Sequence, residues 1–169
     1  NWIAATDSAT KETVYAVFNC DETHSFLALH DDEETYCGFQ TAFVPRLMKK
    51  AGAWETTYRL NAVRGLTHVN FATDELAAQI DYADGKLNVA IAPARAMQDI
   101  TIKASIAAAN ERVWQLPALE CNFEPGAIVR CTYDWESPGD GAYDLLAKVT
   151  QNGKDIKLGA DTGSPHGGI

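Results

Sequence analysis

Ala118–Leu158 reads ALECNFEPGAIVRCTYDWESPGDGAYDLLAKVTQNGKDIKL, and the fold turns on how this stretch is read. Leu119–Phe123 and Ile128–Trp135 are rich in β-branched and aromatic residues and flank Glu124-Pro125-Gly126-Ala127, the pattern of two strands joined by a tight turn. As a hairpin they would set Cys121 opposite Cys131, a separation that a disulfide spans easily. After the turn-forming SPGDG, Tyr143, Leu145, Ala147 and Val149 alternate with Asp144, Leu146, Lys148 and Thr150, the two-residue period of a strand. Asn152-Gly153 then turns the chain into a short last strand, KDIKL. A helix over Gly141–Gln151 capped by Asp140 is the competing reading, and the strand is preferred.

Outward from that stretch, β character dominates. Asp99–Ile106 alternates cleanly, with Ile100, Ile102 and Ala104 against Thr101, Lys103 and Ser105; the Ala-rich IAAANERVWQL after it is read as a loop at Ala109–Arg112 and then a strand. Ala83-Asp84-Gly85-Lys86 is a strong hairpin turn, and Lys86–Ala92 its return strand. Before it, Glu75–Gln79 reads equally well as helix or strand. Pro93–Ala96 interrupts the pattern and marks a domain boundary or a crossover between two sheets. Further back, Thr13–Asn19, Ser25–His30 and Thr35–Phe43 read as a three-stranded meander, and Trp54–Val63 as another strand. Asn1–Glu12 is read as a loosely held lead-in. Val44–Gly52 is the one predicted helix: Pro45 suits the first helical position, Lys49 and Lys50 the negative end of the dipole, and Gly52 a left-handed stop.

The segment DGAYDLLAKVTQNGKDI resembles the penultimate and final strands of immunoglobulin-like and PKD-type sandwiches, in which a turn, a Gly and a Tyr open a strand that pairs with the last one. The likeness covers about the last forty residues, lacks the Cys and Trp spacing of antibody domains, and implies a fold rather than any functional residue. The expected fold is therefore all-β, an immunoglobulin-like antiparallel β-sandwich with one short helix, with α+β as the alternative. Residues 1–92 are expected to form one β unit with the helix near 45–51, residues 93–160 an immunoglobulin-like unit and residues 161–169 a flexible tail. A single sandwich over 1–160 is the alternative division.

Composition narrows the function classes. The 169 residues carry 23 acids against 14 bases, a net charge of −9, and the densest basic stretch is only Arg46, Lys49 and Lys50, so no phosphate-tracking surface for nucleic acid is expected. No apolar run approaches the roughly 20 residues that span a bilayer as a helix. Cys20, Cys37, Cys121 and Cys131 form an even set without the short spacings of zinc or thioredoxin-like sites. They are read as two disulfides in preference to free buried thiols, with the pairing open among three possibilities, which places the chain in the periplasm or outside the cell.

Candidate chemistry is sparse. Asp161-Thr162-Gly163-Ser164 matches the aspartic protease tetrapeptide, but with no second copy and no flanking apolar strands it reads as a chance match. His24 and His30 share strand parity but lie roughly 20 Å apart in extended chain, too far for one ion. Asp31–Glu34 lacks calcium-loop spacing and reads as a solvated turn, while His68 and His166 have no evident partner. No cofactor or metal site is expected. Of the four tryptophans, Trp54, Trp114 and Trp135 fall on predicted strands and read as core, and Trp2 as a docking residue for a partner or for its own sheet. The expected function is non-catalytic: an exported interaction or adhesion module, or a component of a surface assembly, that binds a protein partner. Glu124, Pro125, Gly126, Arg130 and Trp2 are the candidate contacts. A carbohydrate-binding module, and a secreted inhibitor or small hydrolase, are the alternatives.

Overall fold

The period-two runs become strands, and almost nothing else forms. The computed structural model describes residues 2–30, 37–109, 112–139 and 141–156, and of residues 20, 28–30 and 37 the backbone alone. Among them run β1 (Trp2–Asp7), β2 (Glu12–Phe18), β3 (Thr23–His30), β4 (Cys37–Phe43), β5 (Tyr58–Arg64), β6 (Phe71–Ala72), β7 (Leu76–Ala83), β8 (Lys86–Pro93), β9 (Met97–Ala108), β10 (Val113–Gln115), β11 (Leu119–Phe123), β12 (Val129–Asp134), β13 (Tyr143–Gln151) and β14 (Lys154–Ile156). The ladders between them are antiparallel. They make an N-terminal sheet, β1-β2-β5; a β3-β4 pair; a central sheet, β12-β8-β7-β6; and an outer sheet, β10-β9-β13-β14, with β11 also on β9.

The sheets stack in layers, with the central one in the middle. One of its faces carries the large side chains Leu76, Ile80, Leu87, Val89, Ile91 and Tyr133, which pack on Met97, Ile100, Ile102, Ile106, Phe123 and Val149 of the outer sheet. Its other face carries Ala72, Ala77, Ala90 and Ala92, which meet Tyr15, Val17 and Val63 of the N-terminal sheet together with Leu66. Alternation of large and small residues along β7 and β8 thus gives one strand pair two buried faces. The alanines matter because a short side chain lets the N-terminal sheet approach closely enough for Tyr15 to be fully buried.

Local chemistry sets the tight turns. Asp84 and Gly85, at φ 52° and 72°, close the β7–β8 hairpin, and Asn152 and Gly153, at φ 50° and 73°, close β13–β14, both as the sequence predicts. Two successive positive φ values define the turn whose twist matches the flanking strands, and Asp-Gly and Asn-Gly tolerate them. In the outer sheet β9 pairs along one edge with β13 and along the other first with β11, then with β10. Pro117, which has no N–H to give a ladder, falls in the gap between β10 and β11.

Several expectations are corrected. Val44–Gly52 is not helical: its only regular feature is a turn in which the Gly52 N–H donates to the Lys49 carbonyl, and Ala51 rather than Gly52 adopts positive φ. Leu47 is entirely solvent-exposed, so no apolar face is buried to offset the cost of nucleating so short a helix. Leu119–Trp135 is not a two-stranded hairpin, because β11 joins the outer sheet and β12 the central one. The expected meander is split: β2 pairs with β1 and β5, while β3 and β4 pair with each other. Residues 2–7 are a strand instead of a loose lead-in, and β5 begins only at Tyr58. The Glu75–Gln79 ambiguity resolves as strand from Leu76, and β10 follows the loop expected at Ala109–Arg112, whose residues 110 and 111 lie outside the described ones. The expected tail, 161–169, also lies outside them.

The layered packing makes a pair of expected outcomes. Phe123→Ala, emptying the centre of the central–outer interface, should cost roughly 3–5 kcal/mol. Ala77→Leu adds volume where the N-terminal sheet seats and should cost roughly 1–3 kcal/mol despite adding apolar surface. Urea unfolding midpoints measure both; an Ala77→Leu variant as stable as the parent would show that the alanine face is loosely packed.

Candidate functional site

Three clusters emerge from this architecture, and they differ in what they can do. The first is ionic. In the connection from β6 to β7, the Thr73 hydroxyl donates to Glu75 Oε2 at 3.0 Å and Arg95, just past β8, donates to Glu75 Oε1 at 2.6 Å. Arg59 of β5 pairs with Asp74 at 2.8 Å. Burial raises the Asp74 carboxyl above its usual range, with Arg59 opposing and Glu75 reinforcing the shift. Among the described residues the Tyr15 hydroxyl is buried without a hydrogen-bond partner, and its pKa is pushed up by that burial and by the charges of Glu75 and Asp74. Arg59 belongs to the N-terminal sheet and Asp74 and Glu75 to the central one, so the cluster is a charged seam between layers. Each carboxylate faces a cation.

The second cluster is aromatic. Trp135 packs edge-on against Tyr82, Trp114 and Tyr143, with interplanar angles of 63°, 71° and 79°. The Tyr143 hydroxyl donates to the Gly139 carbonyl at 2.9 Å, and the Ser137 N–H donates to the Tyr82 hydroxyl at 3.0 Å. Trp135 is buried, and Arg112 lies over the Trp114 ring. Rings tilted against one another close a core and offer no coplanar platform on which a sugar ring could stack.

The third is an open apolar face. Register pairing places Ile3, Ala16 and Leu60 in one row across β1, β2 and β5, Ala5, Val14 and Ala62 in the next, and Phe18 beside Tyr58 at the end. Of these, Leu60 is 63%, Tyr58 59% and Val14 42% exposed. Phe26 of β3 packs tilted on Phe18 at 4.9 Å, and Ala16 and Phe18 are buried within the face. The opposite outside surface of the molecule, on the outer sheet, is built from Thr101, Lys103, Ser105, Glu120, Lys148 and Thr150, with Val113 and Leu146 its exposed large apolar side chains among the described residues. The two outermost faces of the same stack therefore differ in their share of charged side chains.

The sequence-derived candidates are dispersed. Glu124, Pro125 and Gly126 lie together on an exposed turn after β11, closed by the Ala127 N–H donating to the Glu124 carbonyl. Arg130 is exposed, and its guanidinium donates to the Gly65 carbonyl at 3.1 Å. Trp2 is half-buried and packs against the core between the N-terminal and central sheets. Cys121 and Cys131, expected to face each other across a hairpin in a disulfide, are free thiols on strands of two different sheets. Burial pushes both thiols up, the neighbouring Cys131 adding to the effect at Cys121, while a hydrogen bond with Tyr133 opposes it at Cys131. His68, read without a partner, stands 3.6 Å from Asp81 on the surface. The side chains of Cys20, His30 and Cys37, the acids 31–34, His166 and the tetrapeptide 161–164 lie outside the described residues. Among the described residues no three His, Cys, Asp or Glu side chains gather around a common point, and no helix is long and apolar enough to cross a membrane. The apolar face escapes a reading of the sequence, although β2 carries its signal: Thr13–Phe18 is apolar on both parities, which implies two covered faces.

Asp74 supplies a test of the seam. A carboxyl whose folded pKa lies above its unfolded value of about 3.8 holds its proton more tightly when folded. Its stabilising contribution is full below that value and is lost as pH rises through the folded pKa. Against Asp74→Asn, which cannot ionise, the parent's relative stability should therefore decline as pH rises above about 3.8, read from urea titrations at each pH; a difference that grows as pH rises would overturn the assignment. No protein-family model, curated protein or solved structure matches this chain.

Proposed function

We propose that the chain is a non-catalytic interaction module of an exported protein, and that it binds a protein partner through the outer face of its N-terminal sheet. The observation that carries this reading is the row of exposed large apolar side chains on the N-terminal sheet: Val14, Tyr58 and Leu60 stand in solvent there, whereas on the opposite face Val113 and Leu146 are set among Lys103, Lys148, Thr101 and Glu120. An exposed apolar patch is costly to maintain, and in soluble proteins such patches mark contact surfaces. One end of the face is polar, where Glu12 pairs with Arg64, and a charged border beside an apolar centre is the arrangement of a protein interface.

Two further features support the reading. Tyr143 opens β13, which pairs with the last strand, and its hydroxyl reaches back to a backbone carbonyl four residues upstream, as in the tyrosine corner of immunoglobulin-like sandwiches. Sandwiches of that kind serve in many recognition proteins, an analogy at the level of fold. The exported location follows only the even number of cysteines in the sequence, since Cys121 and Cys131 are free thiols in the structure.

The test is affinity capture from the envelope and secreted fractions of the source cells with the immobilised protein. Val14→Glu combined with Leu60→Glu should reduce capture of the specific partner at least about tenfold, since charges placed at the centre of a desolvated contact are poorly tolerated. Both residues are exposed, so the thermal unfolding midpoint should move little. Undiminished capture by this double variant would remove the face from consideration.

A further inference from the structure

The connection from β4 to β5, residues 44–57, holds the only other concentration of exposed large apolar side chains that stands out among the described residues, and it differs from the sheet face in carrying cations. Its base is clamped. The Val44 N–H donates to the Glu22 carbonyl at 2.9 Å, the Thr56 hydroxyl donates to Glu22 Oε2 at 2.5 Å, and Arg46 pairs with Glu22 at 3.5 Å. Trp54 meets the Phe43 ring edge-on at 5.1 Å, with the Arg46 guanidinium over its own ring at 5.4 Å. These contacts join the outgoing and returning limbs and frame an open depression of about 420 Å³ lined by Val44, Arg46, Met48, Gly52, Ala53 and Trp54.

Beyond the clamp the tip projects into solvent at Leu47. Leu47 is 102% exposed and Met48 46% exposed, directly before Lys49 and Lys50, and a turn from Lys49 to Gly52 sends the chain back. Neither lysine has an ion-pair partner among the described residues. Glu55, on the returning limb, is the one acid of the connection.

We propose that this tip is a membrane-docking loop: Leu47 and Met48 enter the interfacial zone of an anionic bilayer while Lys49 and Lys50 sit against its headgroups. The geometry favours a lipid surface over a protein, because a fully protruding leucine needs a matching cavity in a protein, whereas a bilayer interface deforms around any convex apolar tip. Charge supplies the second argument. Two unpaired lysines beside the apolar pair complement anionic lipid, and on a chain of net charge −9 they fix the orientation, since the rest of the surface is repelled. The contact is peripheral and reversible, and it is independent of the protein-binding face assigned above.

Co-sedimentation of the full chain with vesicles tests it. Binding is expected to vesicles containing about a third phosphatidylglycerol in phosphatidylcholine and to be absent with phosphatidylcholine alone, and it should fall steeply as salt is raised. Leu47→Asp, and separately Lys49→Glu with Lys50→Glu, should each lower partitioning roughly tenfold or more, while Val14→Glu with Leu60→Glu leaves it unchanged. A Leu47→Trp variant should shift its emission to the blue on anionic vesicles and stay unshifted with soluble polyglutamate. The proposal is overturned by absence of binding to the anionic vesicles or by binding that both tip variants leave intact. Equal affinity for polyglutamate that ignores Leu47 would likewise overturn it and assign the loop to an acidic protein.

Discussion

The structure depends on a single packing constraint, the burial of the central sheet on both faces. A strand covered on one side can discard alternate residues to solvent; β7 and β8 cannot. They meet the requirement by placing Leu76, Leu87 and Ile91 toward one neighbour and Ala77, Ala90 and Ala92 toward the other. Each fully buried large side chain contributes on the order of 1.5–3 kcal/mol, so most of the hydrophobic stabilisation comes from the central–outer interface, and the alanine interface adds proximity more than area. The ionic seam of Arg59, Asp74, Glu75 and Arg95 lies where the alanines leave the second interface thin in apolar contact.

That same constraint explains which parts of the fold are legible in the sequence. Asp84-Gly85 and Asn152-Gly153 announce their turns through local backbone chemistry, and the strands beside them follow from alternation. Glu75–Gln79 is ambiguous because Ala77 and Ala78 are both buried on opposite faces, which erases the polar beat that distinguishes strand from helix. At Val44–Gly52 the cap, dipole and stop signals are all present, yet a helix there would have no surface to bury against. The turn at Glu124–Ala127 is legible as a turn. Its flanking strands part company because Cys121 finds its partner at Ile100 and Cys131 at Val89, choices made by residues far away in the chain.

Of the candidate surfaces, the sequence reveals less. The apolar face is assembled from residues 2–7, 12–18 and 58–64, and no window contains it. Tyr58, Leu60 and Ala62 are visible as one side of a strand, but whether that side looks inward depends on which sheet lies beneath it. The cysteines show the converse: their number is legible, whereas their chemical state follows from strand pairing, which leaves Cys121 and Cys131 as thiols on neighbouring layers. Trp2 reads both as an anchor for a partner and as a residue docked on its own sheet, and it stands half-buried against its own core.

One connection in the N-terminal sheet carries an architectural consequence. β2 and β5 are hydrogen-bonded neighbours, from Glu12 opposite Arg64 to Phe18 opposite Tyr58, although residues 19–57 intervene between them. Everything in that interval, the β3-β4 pair and the basic tip alike, is an excursion from a ladder that would close without it. Lengthening such an excursion raises its closure entropy only by about 0.6 kcal/mol per doubling. The scaffold can therefore hold its layers constant while this one appendage is elongated, shortened or exchanged, and variation between homologous chains is expected to concentrate there before it touches the stack.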